Sequence, residues 1–362
     1  MKIIIFAGGT GARLWPLSRK NSPKQFDKLI NGKSTLQMAV ERVRDVYGLY
    51  NVFIQTAEKY VSVIKHQIPD LPLSNIFAEP ERRDLAPAVG FAFIKLKKQK
   101  IKEPIAIIWS DHLMENVKIF HSGLKTGEKL ILENPKRFIY LAEKPRYAEN
   151  NLGWINVGKG IDNRNQIPIY EFRKWHYHPP LEKCKRMFDS GQWFWNPGYF
   201  VTSINFVLSL YRKFQPEIYS KLQIMSDAFD TDRESSVISN VYKTLPCIDF
   251  DKAILEKTQP SDAVVLKLDM GWSDPGTLYA LKEALQSSPR ANVTKGQTFH
   301  LDCEDCLIYN QEKDKLITAM GLKGFVIVNT QDACIVIPKD KALRVKDLVK
   351  KLELDKKLSH YV

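Results

Sequence analysis

Lys2-Ile3-Ile4-Ile5-Phe6 is a β-branched apolar run that ends in a burst of glycine. A short continuous run closed by turn residues reads as a buried first strand. Val52-Phe53-Ile54, Ile76-Phe77-Ala78 and Ile105-Ala106-Ile107-Ile108-Trp109 repeat the pattern. Between these runs the apolar positions recur at helical spacing. Ser34 stands as an N-cap before Leu36, Val40, Val43 and Tyr47, with Gly48 as the stop. Tyr60 to Ile68 forms a second helical pattern, and Asp84 caps a third with Pro87 in its first turn. The alternation predicts an α/β protein with a mostly parallel sheet flanked by helices. Ligands in such sheets bind beyond the carboxyl ends of the strands, where Gly8, Glu79 and Asp111 all fall.

From Phe138 the elements shorten to strands at Phe138–Leu141, Gly153–Val157 and Ile167–Phe172, with a helix at Pro180–Ser190. The aromatic cluster Trp193-Phe194-Trp195-Asn196-Pro197-Gly198 follows, then helical segments from Asn205 to about Leu245. A strand at Ala263–Leu268 leads into Gly271-Trp272-Ser273-Asp274-Pro275-Gly276. A helix carrying Leu278, Leu281 and Leu285 closes the main domain, and Ser287-Ser288-Pro289 marks a boundary. The expected division is 1–287 and 288–362. Beyond it lie short strands (Thr298–Leu301, Cys306–Tyr309, Leu316–Thr318, Phe325–Val328, Ala333–Ile337) and one amphipathic helix from Lys341 to about Leu354. No internal repeat is evident.

A length of 362 residues suits one large and one smaller domain. The formal charge of +13 favours anionic ligands, yet lysine runs such as Lys95, Lys97, Lys98 and Lys100 sit in helical segments as solvated faces. No nucleic-acid module is present, so nucleic acid is not an expected partner. No run of about eighteen uncharged apolar residues occurs, which argues against a membrane span. Five scattered cysteines (184, 247, 303, 306, 334) and a chain that opens directly into a strand predict a cytoplasmic protein. His176-x-His178 has no evident third metal ligand, and Cys303-x-x-Cys306 has no partner pair; a strand face and a turn explain them better.

The chemistry concentrates in Phe6-Ala7-Gly8-Gly9-Thr10-Gly11-Ala12-Arg13-Leu14-Trp15-Pro16-Leu17-Ser18, followed by Ser22-Pro23-Lys24-Gln25-Phe26. Gly8, Gly9 and Gly11 let the backbone turn sharply with no Cβ between its N–H groups and a ligand. Arg13 and Lys24 add cations at the mouth, an arrangement suited to a polyphosphate. The spacing is neither the dinucleotide fingerprint nor a P-loop. Chemistry at a polyphosphate needs positioning, charge neutralisation and a divalent cation such as Mg²⁺ on hard oxygens. Asp111 and Asp274, each after a strand in a tight polar turn, are the candidate ligands, the alternative for either being a helix N-cap. Guanine offers N1–H and N2–H₂ side by side, a donor pair that one carboxylate accepts; Glu79 lies at a strand end near the loop.

The string Gly-Gly-x-Gly-x-Arg-Leu-x-Pro-Leu, then Pro-Lys, closely resembles the signature of sugar-1-phosphate nucleotidyltransferases. Trp15 and Gln25-Phe26 resemble the mannose-1-phosphate guanylyltransferase branch. The resemblance extends to Ser110-Asp111-His112, Trp195-Asn196-x-Gly198, Ile248-Asp249-Phe250-Asp251 with Leu255-Glu256-Lys257-Thr258, and Gly271 to Gly276. It implies a Rossmann-like nucleotidyltransferase domain followed by a small left-handed β-helix-like domain. It implies Mg²⁺ on Asp111 and Asp274, triphosphate held by Arg13 and reacting phosphates by Lys24. Nucleotide contacts fall to Gly8, Gly9, Gly11, Glu79 and Arg83, and sugar contacts to Gly153, Lys174 and Asn196. The implied reaction moves a guanylyl group from GTP to a sugar-1-phosphate, mannose-1-phosphate first, giving GDP-mannose and pyrophosphate. Another sugar-1-phosphate such as a heptose, another NTP, or a non-catalytic nucleotide-sugar-binding homologue are the alternatives, and a homodimer is open.

The pattern departs in places. Arg82-Arg83-Asp84-Leu85-Ala86-Pro87 stands for Arg-Asn-Thr-Ala-Pro, Pro197 for a common Ser, and Leu152-Gly153-Trp154 for a Gly-Tyr-Gly-Tyr turn. The family's Glu-Lys-Pro is missing after Phe172, where Arg173-Lys174-Trp175-His176-Tyr177-His178 stands. Glu143-Lys144-Pro145 lies upstream of Gly153, on the other side of the sugar turn.

Overall fold

The computed structural model describes residues 1–9, 12–19, 24–27 and 32–362. They fall into two compact units, one of Met1–Gly8, Ala39–Ser110 and Met114–Trp272, the other of Gly9–Met38, Asp111–Leu113 and Ser273–Val362. The chain thus changes unit soon after its first strand.

The first unit is built on a ten-stranded sheet. Lys2–Phe6 lies in its parallel part, paired with Val52–Ala57 on one side and Ile105–Trp109 on the other, and Ile76–Glu79 extends it as the edge. Strands covered on both faces need apolar residues at every position, and Ile3, Ile4, Ile5, Ile105, Ala106, Ile107 and Ile108 are all fully buried. Phe200–Thr202 joins antiparallel to both Ile105–Trp109 and Phe138–Glu143, and Ala263–Leu268 runs parallel to the latter. The long hairpin Gly153–Arg164 and Ile167–Tyr177, with Trp193–Asn196 antiparallel between Gly153–Arg164 and Phe138–Glu143, completes the sheet. The helix Leu85–Lys98 is apolar nearly all round because it packs under the helices Ile204–Phe214 and Pro216–Ala228. A Cβ on Gly90 would come within 2.6 Å of Leu222.

The caps follow the expected chemistry. Ser34 Oγ accepts from the Gln37 N–H while Gln37 Oε1 accepts from the Ser34 N–H, a reciprocal pair that starts Thr35–Tyr47. Asp84 caps Leu85 from the left-handed region at φ 66°.

In the second unit, Val293–Lys295, Leu307–Asn310 and Phe325–Asn329 stack as parallel rungs, with Cys334–Pro338 antiparallel beyond them. Thr298–Leu301 and Ile317–Met320 form a second parallel face. Asn329 Nδ2 donates to Asn310 Oδ1 at 2.9 Å, and Asn310 in turn donates to the Gln297 carbonyl, which satisfies buried amides between rungs. Leu307, Tyr309, Val326 and Val328 share a core with Leu278, Leu281, Leu14, Trp15 and Val345. The terminal helix runs Val345–Leu354 behind a 3₁₀ stretch Lys339–Arg344. Among the described residues no helix is long and apolar enough to cross a membrane.

Candidate active site

The sequence-predicted residues divide between the units. In the first, the strand Lys2–Phe6 is fixed at its carboxyl end by both neighbours. Ala7 N–H donates to Gln55 O (2.8 Å), Thr56 Oγ1 donates to Ala7 O (3.0 Å), and Ser110 N–H donates to Phe6 O (3.1 Å). Gly8 therefore leaves the sheet where the strand order reverses, the ligand crevice of an open α/β sheet. Glu79 ends the edge strand and is 5% exposed. A Cβ on Gly8 would meet Glu79 Oε1 at 3.5 Å, so the carboxylate faces the start of the glycine loop. Burial pushes the Glu79 carboxyl up to about 7, against a hydrogen bond from Tyr242 and the charge of Arg82. Arg83 lies on the following turn, paired with Glu81 at 3.0 Å.

In the second unit, the Gly9 carbonyl accepts from Gln25 Nε2 at 3.0 Å, and a Cβ on Gly9 would meet nothing within 4 Å among the described residues. Arg13 is exposed in the turn Ala12–Leu14, while Leu14, Trp15 and Leu17 are buried and anchor the segment. Trp15 Nε1 donates to the Tyr361 carbonyl at 2.8 Å. Gly11 and the Lys24 side chain lie outside the described residues; the Lys24 backbone begins the turn Lys24–Phe26.

Asp111 and Asp274 belong to this second unit. Asp111 follows the strand Ile105–Trp109, is partly exposed, and has Oδ1 at 3.8 Å from His112 Nε2. Asp274 follows Trp272–Ser273, which pairs with Leu113–Met114 just after Asp111 and His112. A Cβ on Gly276 would stand 3.0 Å from both Asp274 carboxylate oxygens, so glycine leaves the carboxylate its place. Among the described residues no group of three or more His, Cys, Asp or Glu forms a complete metal cage. Two aspartates are a fitting donor set for a hard divalent cation that takes its remaining ligands from phosphates and water.

Sequence reasoning missed two buried partners. Glu143, fully buried, accepts from the N–H groups of Met270 (2.9 Å) and Trp272 (3.1 Å) and pairs with Arg146 at 3.2 Å. It pins the backbone that leads into Ser273-Asp274; burial pushes its carboxyl up to about 7 despite those bonds. The Glu-Lys-Pro triplet thus contains a structural carboxylate, for which a charged residue ending a buried strand was the available signal. Tyr242, the second, donates to Glu79 Oε2 at 2.5 Å.

Of the sugar candidates, Gly153 and Asn196 are directly paired across strands. Asn196 Oδ1 accepts from the Gly198 N–H at 3.0 Å, and Gly198, at φ 76°, has no room for a Cβ against the Trp109 ring. Lys174 pairs with Asn156, three residues along the hairpin from Gly153 and so about 10 Å away. Its Nζ lies 5.7 Å from the Trp193 ring centroid. Lys183 Nζ lies 2.6 Å from His176 Nε2. Burial, with Lys183 and Lys174 nearby, lowers the His176 pKa and keeps the ring neutral.

A nucleotidyl transferase family model matches residues 2–290, and a MannoseP isomerase/GMP-like beta-helix domain model matches 296–352. The chain belongs to the nucleotidyl transferase family, whose members generally use a divalent metal. Within it, the chain is of the mannose-1-phosphate guanylyltransferase type. The mannose-1-phosphate guanylyltransferase of Escherichia coli is 30% identical over 360 residues, 99% of this chain and 75% of the relative. That of Klebsiella pneumoniae is 30% identical over 353 residues, covering 97% and 73%. A crystal structure from Thermus thermophilus, described as a mannose-1-phosphate geranyltransferase, superposes with a TM-score of 0.84 at 24% identity. It covers 97% of this chain and 99% of that one, a likeness of fold.

Proposed function

We propose that the protein transfers the guanylyl group of GTP to mannose-1-phosphate in the cytoplasm, with Mg²⁺ held by Asp111 and Asp274. The observation that carries the choice of nucleotide is the buried Glu79 carboxylate facing Gly8. An ionised carboxylate accepts both N1–H and N2–H of guanine, whereas adenine presents an acceptor at N1. The sugar phosphate oxygen is already ionised at neutral pH, so the protein supplies position and charge rather than a base. That oxygen forms a bond to the α-phosphorus as the bond to the β-phosphate oxygen breaks, and pyrophosphate leaves. Arg13 holds the triphosphate and Lys24 the reacting phosphate groups, the Gly8, Gly9 and Gly11 backbone approaches the nucleotide, and Arg83 serves the nucleotide beside Glu79. Bound Mg²⁺ supplies Lewis-acid stabilisation of developing phosphate charge. Gly153 and Asn196 orient the sugar; Lys174 serves a more distant part of it.

Pyrophosphate release across the four NTPs and a panel of sugar-1-phosphates tests this reading. The expected result is GTP with mannose-1-phosphate as the fastest pair, and Glu79→Gln is expected to cut the preference for GTP over ATP at least about tenfold. An unchanged ratio in an active variant rejects the role of Glu79. A faster second sugar would reject mannose and point to the Arg173–His178 segment, where cationic and imidazole side chains replace the expected triplet.

Gly276→Ala gives a separate check on Asp274. The added methyl group would push the carboxylate aside by a few tenths of an ångström, and transfer rates are sensitive to the placement of a charge-neutralising group. Turnover is expected to fall roughly several-fold with the melting temperature nearly unchanged. A variant with full activity would show that the carboxylate tolerates that shift.

A further inference from the structure

Glu79 uses its two carboxylate oxygens differently. Oε1 faces Gly8, whereas Oε2 is held from behind by the Tyr242 hydroxyl at 2.5 Å. Tyr242 is fully buried at the end of the helix Glu234–Tyr242, edge-on to Phe91 with ring centroids 5.6 Å apart. Phe91 in turn lies on the central helix Leu85–Lys98. The phenol has no freedom to follow the carboxylate if the latter turns, so it fixes where the carboxylate points.

We propose that Tyr242 is a positioning residue that orients the Glu79 carboxylate for guanine and so sets the preference for guanine over adenine nucleotides. This rests on the reading of Glu79 as the base-reading group. Each carboxylate oxygen has two lone-pair directions, so Oε2 accepts from Tyr242 and still has one for a base N–H. The discrimination needs the ionised form. A protonated carboxyl has its own donor, which adenine N1 accepts, and it then distinguishes the bases poorly.

Several groups decide which form is present. Burial raises the Glu79 carboxyl to about 7, Tyr242 and Arg82 lower it, and Asp84 raises it. Tyr211 and Arg83 act on Tyr242, whose phenol is raised well above its ordinary value, first by burial and then by Glu79, and so stays a donor. With its proton held, the phenol hydroxyl is the only uncharged side-chain group among these that favours the carboxylate. Removing it shifts Glu79 toward the protonated form at neutral pH.

The test is the pH profile of the kcat/KM ratio for GTP over ATP, with GDP and ADP affinities measured alongside by calorimetry, on the full chain. In the wild type the preference is expected to rise with pH through about 7 as Glu79 ionises. Tyr242→Phe is expected to lower the preference about tenfold at pH 7 and to move the midpoint alkaline, with recovery near pH 9. Unaltered ratio and midpoint in Tyr242→Phe, alongside a relaxed Glu79→Gln, overturn the positioning role alone. An unaltered Glu79→Gln overturns the base-reading assignment and this inference with it. Should Tyr242→Phe not fold, 2,3-difluorotyrosine at position 242 keeps the ring and donates more strongly. Its midpoint is expected to move acidic, and an unmoved midpoint overturns the proposal.

Discussion

Asp274→Asn is expected to lower kcat at least about a thousandfold, equivalent to about 4 kcal/mol of transition-state stabilisation, while GTP affinity changes far less. The amide keeps the shape of the carboxylate over Gly276 but loses its charge and one of its two acceptor oxygens. The base end of the nucleotide is proposed to be read by Glu79 and the Gly8 backbone, neither of which the substitution alters. Asp111→Asn is expected to behave alike. If the two aspartates hold one ion, they act as a unit, and the double variant should be little slower than the slower single one. Pyrophosphate release at saturating substrates, beside nucleotide binding by calorimetry, reads both quantities. Undiminished turnover in Asp274→Asn would end the metal role, and strictly multiplicative losses would show that the two carboxylates act separately.

Placement at strand ends made much of this site legible in the sequence. Ile105–Trp109 and Ala263–Leu268 have the bounds expected from their apolar runs, because a strand buried on both faces is apolar almost throughout, Lys267 being the one polar residue in the two. Asp111 follows directly from the first of these, and Glu79 closes Ile76–Glu79. The hairpin is longer than its apolar pattern suggests. Its outer half, Gly158-Lys159-Gly160-Ile161-Asp162, is mostly exposed and carries no buried face to betray the strand.

The helix Val117–Glu133 is absent from the sequence pattern for a packing reason. Gly123 and Gly127 stand in its middle, where glycine weakens a helix by about 1 kcal/mol relative to alanine. A Cβ on Gly123 would come within 2.7 Å of Leu268, and one on Gly127 within 2.8 Å of Val201. The helix lies against the sheet because those positions have no side chain. Local propensity loses to tertiary contact, and only the contact shows it.

The C-terminal rungs were hidden by unequal spacing. Val293 pairs with Leu307, fourteen residues on, whereas Leu307 pairs with Val326 and Thr298 with Ile317, nineteen on. A reader scanning for one period finds none, although the strands themselves are legible. Tyr242 was invisible for a different reason: it meets Glu79 across 163 residues of sequence, and a tyrosine ending an ordinary helix carries no local mark.

Asp305→Ala is expected to destabilise the second unit by about 3–5 kcal/mol, because it removes the counter-charge of a buried lysine. Lys282 has no exposed side-chain surface, and its ammonium donates to Asp305 Oδ1 and, at 2.7 Å, to the uncharged Gln286 Oε1. Lys339 Nζ reaches Asp305 Oδ2 at 2.7 Å, and the Tyr279 hydroxyl lies 3.0 and 3.1 Å from the two oxygens. One carboxylate thus satisfies two cations and a phenol. It does so from φ 57°, a conformation that aspartate tolerates better than alanine. Burial alone would raise the Asp305 carboxyl, but hydrogen bonds from Lys282, Lys339 and Tyr279 outweigh it and hold the carboxyl below its ordinary value of 3.8. A group whose folded pKa is depressed adds stability above its unfolded pKa and loses it as pH falls through the folded one. The gap in melting temperature between wild type and Asp305→Ala should therefore be full at neutral pH and shrink below about pH 4. Lys282→Met in the Asp305→Ala background should recover much of the loss, since an apolar side chain of similar length leaves no charge to bury. A single variant that melts with the wild type at pH 7 would mean that Lys282 finds water or another acceptor once the aspartate is gone.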